Sequence, residues 1–120
     1  MDEKVKVEIT GEGNVGVVAF KATSISNVEA IAAAAEQTKK FIEENHPGRI
    51  VFDFEQVKFF SSQVLGLLLE IRAELQTYNG EVVISGINPQ LHRIFKITNL
   101  DKIFRFFPDK ESAIKMVNTN

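Results

Sequence analysis

Two adjacent serines, Ser61 and Ser62, stand between an apolar run, Ile50-Val51-Phe52, and a leucine-rich segment that begins at Val64. A strand that gives way to a polar turn and then to a helix start is where α/β domains usually place function. As nucleophiles the serines are poorly equipped, because no glycine-flanked elbow of the G-x-S-x-G kind surrounds them. As hydroxyls at a helix start they suit two other roles. Either could cap the helix by accepting a hydrogen bond from an orphan backbone N–H. Either could instead carry a phosphoryl group, which free N–H groups and the helix dipole stabilise and which adds about two negative charges.

Other chemistry is thinner. Asp53 and Glu55 point to the same side of one strand. With no partner to split their pKa values, they read as a solvated strand end rather than an acid/base pair. His46 in a loop and His92 on a helix lack metal-ligand spacing, and His92 reads as a surface residue. Gly11, Gly13 and Gly16 fit the dinucleotide pattern G-x-G-x-x-G, but they lead into Val17-Val18-Ala19-Phe20, a strand, where that pattern needs a helix N-terminus. No metal, no cofactor and no enzymatic activity are therefore expected.

The totals agree with a binding role. A chain of 120 residues, with 44% hydrophobic and 25% charged residues, is expected to form one globular domain over 1–120. Its net charge of −2 supplies no broad basic field, so nucleic acid is not an expected partner. The absence of cysteine removes disulfides, thiol chemistry and cysteine-ligated metal together. The first residues, MDEKVKVEI, alternate and are charged, unlike a signal peptide, and no apolar run reaches spanning length. A cytoplasmic protein without a membrane partner is the expectation.

The elements that must hold the serines follow from periodicity. Val5, Val7 and Ile9 alternate with polar residues, Gly11 to Asn14 form a turn, and Val15 to Phe20 form a second strand, giving an N-terminal hairpin. Ser26-Asn27-Val28-Glu29 reads as a capping box for an alanine-rich helix with Val28, Ile31, Ala35 and Ile42 on its packing stripe, stopped at His46-Pro47-Gly48. Ile50 to Phe54 is an inner strand, and the helix after Ser62 runs to about Tyr78 with Val64, Leu68, Ile71 and Leu75 inward. Leu65 and Leu69 fall off that stripe and Gly66 and Ala73 lie opposite it. They are either covered by another element or form a docking face. Glu81 to Ser85 is a strand, and Asn88-Pro89 starts a helix with Leu91, Ile94 and Phe95 inward. Ile103 to Phe106 is a last short strand. Pro108-Asp109 opens a terminal helix that buries Ala113, Ile114 and Val117, and Asn118 to Asn120 form a frayed tail. The order ββαβαβαβα makes an α/β domain with a mixed sheet.

Ile50-Val51-Phe52-Asp53-Phe54, then Val57, then Phe59-Phe60-Ser61-Ser62-Gln63-Val64-Leu65-Gly66 resembles the signature of STAS domains, which in the anti-sigma-factor antagonists of that family reads like L-D-L-x-x-V-x-F-x-D-S-S/T-G-L-G. The likeness continues through Gly80-Glu81-Val82-Val83, Ile87-Asn88-Pro89, Arg93-Ile94-Phe95 and Leu100-Asp101-Lys102-Ile103-Phe104. Ser61 replaces the family's aspartate and Val64 its first glycine. The resemblance implies a regulator that works by partner switching. Unphosphorylated, it binds an anti-sigma factor that is also a serine kinase, and phosphorylation releases it. Carried over by position, Ser62 is the first choice of acceptor and Ser61 the second, since Gln63 cannot be phosphorylated. Phe60, Gln63, Leu65, Gly66 and Leu69 would form the partner-binding surface, on a monomer or weak homodimer. The alternative is a STAS scaffold module in a larger signalling or transport complex, with the serines as caps only.

Overall fold

The computed structural model describes residues 7–118. Val5, Thr119, Asn120 and the Val117 side chain, for which expectations were stated above, lie outside the described residues. Strands β1 (Val7–Glu12), β2 (Val15–Phe20), β4 (Arg49–Asp53), β6 (Glu81–Ser85) and β7 (Arg105–Phe107) form one sheet in the order β1-β2-β4-β6-β7. The β1–β2 hairpin is antiparallel and every other pairing is parallel, so the sheet is mixed, as its pattern predicts. Helices α1 (Val28–Asn45), α2 (Gln63–Gln76), α3 (Pro89–Ile97) and α4 (Lys110–Asn118) complete the α/β domain. A short ribbon, β3 (Ser24–Ile25) with β5 (Phe59–Phe60), and a 3₁₀ turn (Leu100–Lys102) are additions that periodicity does not reveal.

Alternation along the strands sorts side chains between two layers. Val18, Phe20, Ile50, Phe52, Val82 and Ile84 share one buried cluster with the inner residues of α1, α2 and α3. Val15, Val17, Val51 and Val83 face the other way and pack with Ala113 of α4. Phenylalanines bind the larger layer together in series. Phe20 stacks on Phe52 at 5.9 Å between centroids and lies 5.0 Å from Phe54, and Phe54 meets Phe60 edge-on at 5.7 Å. Phe60 in turn meets Phe95 at 6.1 Å.

Helix ends follow local chemistry with one shift. Asn88 caps α3 by accepting from the Leu91 N–H, with Pro89 at the first helical position, and His46 closes α1 in the left-handed region. The capping box places Ser26 at the start of α1, whereas Asn27 is the cap and accepts from the Ala30 N–H at 2.8 Å. Val28 consequently sits at the first helical position, 58% exposed rather than on the packing stripe. The last strand begins at Arg105 rather than Ile103, because the 3₁₀ turn uses the residues before it. His92 is half-buried and not a free surface residue, its ring lying 4.4 Å from that of Phe106.

The three N-terminal glycines serve the hairpin. Gly13 adopts φ +61° at the turn, and Gly16 makes room for α1, since a Cβ there would lie 2.5 Å from Phe41 Cε2 and 2.9 Å from Ile50 Cδ1. Asp53 departs from the solvated strand end read from sequence. It is 5% exposed and accepts a hydrogen bond from the fully buried Ser85 hydroxyl at 3.0 Å, while Glu55 is exposed. The parallel register brings Asp53 opposite Ser85. Burial pushes the Asp53 carboxyl above its ordinary range, and the Ser85 hydroxyl and the more weakly acting Lys110 only partly offset this.

Two outcomes follow from this packing. Gly16→Ala should cost about 1–3 kcal/mol, read as a lower denaturant midpoint at unchanged m-value. For Asp53, the folded state keeps its proton at pH values where the unfolded chain has lost it. Its contribution to stability is present below the ordinary aspartate pKa and is lost as pH rises through the folded value. Asp53→Asn removes that titration, and the Ser85 hydroxyl can turn to accept from the new amide. At neutral pH the variant should match or exceed the parent by on the order of 1 kcal/mol. The advantage should shrink in calorimetric melts taken toward acid pH, and a variant clearly less stable at neutral pH would contradict this account.

Candidate functional site

The serine pair is set by the loop after β4 rather than by the helix it precedes. The Phe54 N–H donates to the Ser85 carbonyl at 2.9 Å, and the Lys58 and Phe59 N–H groups both donate to the Thr23 carbonyl, at 2.8 and 3.1 Å. β5 then pairs with β3, and the Ser61 N–H donates to the Ile25 carbonyl at 2.9 Å. Phe60 points into the core and is 3% exposed. It was expected on a partner-binding surface and is instead buried, packed edge-on against Phe54 and Phe95.

The two hydroxyls are in different situations. Ser61 is half-buried and donates through Oγ to Gln63 Oε1 at 2.7 Å. Ser62 is exposed and occupies the cap position of α2 with φ −62° and ψ −18°, already helical, and makes no side-chain cap hydrogen bond. An N-cap side chain needs extended backbone and free N–H groups two or three residues on. Here the Val64 and Leu65 N–H groups already donate to the Ser61 and Ser62 carbonyls, each at 3.0 Å. Capping by Ser62 is thus replaced by a tight backbone turn, and its hydroxyl faces solvent. Among the described residues the Ser62 and Gln63 N–H groups have no intramolecular acceptor, so both remain available at the positive end of the helix.

On α2, Val64, Leu68, Ile71 and Leu75 are buried as the periodicity requires. Leu65 is buried too, at 8% exposure, so it is removed from the predicted docking face. The single-stripe reading fails because α2 packs against both α1 and β6, and Leu65 is part of the main buried cluster. Leu69 is 38% exposed, and Gln63 and Gly66 are exposed. Ser62, Gly66 and Leu69 are spaced i, i+4, i+7 and share one face of the helix. A Cβ added at Gly66 would meet nothing within 4 Å, so packing within the chain does not require glycine there.

Beside this face a shallow groove runs between α1 and α2, lined among others by Val28, Ala32, Gln63, Gly66, Leu67 and Glu70. Glu70 pairs with Lys39 across the two helices. Val28 and Ala32 line this groove and were not among the residues expected at the site. The sequence carried no signal for Val28, because Ser26 and Asn27 are equally able caps and only the folded chain puts the cap at Asn27, which lifts Val28 out of the packing stripe. No group of three or more His, Asp or Glu side chains placed to hold a metal occurs among the described residues. No helix among them is long and apolar enough to cross a membrane.

Comparison with known proteins places this geometry in context. The fold is similar to that of the anti-sigma factor antagonist SpoIIAA in its unphosphorylated form, with a TM-score of 0.84 and 18% identity over 96% of this chain and 98% of that one. The Bacillus SpoIIAA structure in the phosphorylated form gives 0.74 and 19% over 93% and 99%. An anti-sigma factor antagonist from Mycobacterium paratuberculosis gives 0.74 with 26% identity over 96% of this chain and 95% of that one. Among curated sequences, a STAS-domain containing protein of Pseudomonas aeruginosa (strain UCBPP-PA14) is 27% identical over 59 residues, which is 49% of this chain and 58% of that protein's length. The STAS domain model matches residues 6–113, and the chain belongs to the STAS-domain family.

Proposed function

We propose that the protein is a cytoplasmic anti-sigma-factor antagonist that works by partner switching, with Ser62 as the phosphorylated residue. Unphosphorylated, it binds an anti-sigma factor that is also a serine kinase, and a phosphoryl group on Ser62 releases that partner. The observation that carries this reading is the inequality of the two serines. Ser61 is half-buried and bonded to Gln63, whereas Ser62 is exposed at the head of α2 with a hydroxyl that caps nothing. A phosphoryl group there would meet the unused N–H groups of Ser62 and Gln63 and the positive end of the helix.

Release follows from position. Gly66 and Leu69 lie on the same helix face as Ser62, so a dianion at the head of that face would repel and desolvate poorly against an apolar partner surface. Gly66 supports contact at that face. A glycine inside a helix costs about 1 kcal/mol relative to alanine, and nothing in this chain requires it. Close approach of a partner's backbone would. The SpoIIAA fold, known in unphosphorylated and phosphorylated forms, accommodates such a modification.

Affinity capture from the native cell tests the switch. Wild-type protein should retain a kinase-type partner that Ser62→Asp loses, and intact mass should show a phosphate adduct mapping to Ser62. If Ser62→Asp keeps the partner while Leu69→Arg loses it, the protein is a constitutive interaction module instead. Gly66→Ala separates stability from binding. It should raise folding stability by up to about 1 kcal/mol while weakening partner capture, whereas a role confined to packing would leave capture unchanged.

A further inference from the structure

α3 and the 3₁₀ turn, which pack together, carry a second exposed apolar feature that the proposed switch does not use. Ile97 follows the fully buried Phe95 by two residues, about 200° around the helix, and so faces outward. It is 73% exposed, and Ile103, just beyond the 3₁₀ turn, is 40% exposed. A residue that exposed protrudes from the surface instead of lining a groove. Arg93 lies one turn before Ile97 on the same face, and Lys96 and Lys102 immediately precede the two isoleucines.

The charge here runs against the rest of the molecule. From Arg93 to Arg105 the chain has four basic residues and one acidic residue, Asp101, although its net charge is −2. Arg105 pairs with Glu81, but Arg93, Lys96 and Lys102 enter no ion pair among the described residues. The nearby Thr98 hydroxyl is taken up internally by the Ile94 and Phe95 carbonyls, at 2.8 and 3.2 Å. The corner thus offers protruding apolar tips and unpaired cations, with little directional hydrogen bonding. A protein partner would need a shaped pocket for Ile97, whereas the boundary between headgroups and acyl chains accepts an apolar tip and meets the cations with phosphate.

We infer that the α3–3₁₀ corner, through Ile97 and Ile103 flanked by Arg93, Lys96 and Lys102, binds reversibly to anionic phospholipid surfaces. The binding is peripheral. It gives such surfaces a contact that the net charge of −2 alone does not suggest.

Co-sedimentation with vesicles of phosphatidylcholine, alone or mixed with phosphatidylglycerol, tests this. Each basic residue near an anionic surface favours binding about fivefold, so three should favour the mixed vesicles by about a hundredfold at low salt. That preference should collapse at high salt and in Lys96→Glu/Lys102→Glu. Ile97→Ser should weaken binding while preserving the salt dependence. Unchanged melting curves for these exposed-site variants would assign the losses to the surface rather than to unfolding. No preference for anionic vesicles, or a preference that survives the charge reversal, overturns the inference. Binding to polyglutamate without binding to vesicles would also overturn it and identify a protein dock.

Discussion

The burial of Phe60 is the constraint on which the site depends. Its ring is held edge-on between Phe54, just after β4, and Phe95 of α3. Complete burial of a phenylalanine is worth about 1.5–3 kcal/mol, enough to fix a two-residue strand that could not persist alone. Once Phe60 is seated, the backbone on either side has little freedom. β5 must pair with β3, and the Ser61 N–H must find Ile25. The next residue emerges at the surface with helical angles already imposed. The exposure of Ser62 is thus inherited from a side chain two positions earlier that never reaches solvent.

α2 shows how one segment serves core and surface together. Its buried arc spans more than a single stripe, taking in Leu65 and Leu67 as well as Val64, Leu68, Ile71 and Leu75. What remains outside at its N-terminal end is a hydroxyl, an amide, a glycine and a partly exposed leucine, followed by Glu70, Ala73, Glu74 and Gln76.

Much of the fold was legible because its signals are local. Asn88-Pro89 specifies a helix start within two residues, and the apolar runs from Val15 to Phe20 and from Ile50 mark strands without reference to anything distant. What was not legible depends on partners far along the chain. Asp53 looks like a wet strand end until the parallel register brings Ser85 opposite it, 32 residues away. Ser26 and Asn27 are equally able caps, and the end of β3 at Ile25 decides between them. Leu65 was misplaced because helical periodicity assumes one neighbour and α2 has several. The serine pair precedes α2 as the local pattern predicts, but only the family resemblance, and not the local sequence, ranks its members. The bond from Ser61 to Gln63 and the backbone turn that displaces Ser62 from capping are both products of the folded loop.

That displacement has a consequence for how the site can store information. A residue that closes a helix contributes to the integrity of the element, and altering it perturbs the whole structure. At Ser62 the terminus is closed by main-chain bonds from Val64 and Leu65, so the hydroxyl is structurally idle. A change of charge at this hydroxyl would therefore alter surface potential while the main-chain turn and the core packing stay as they are.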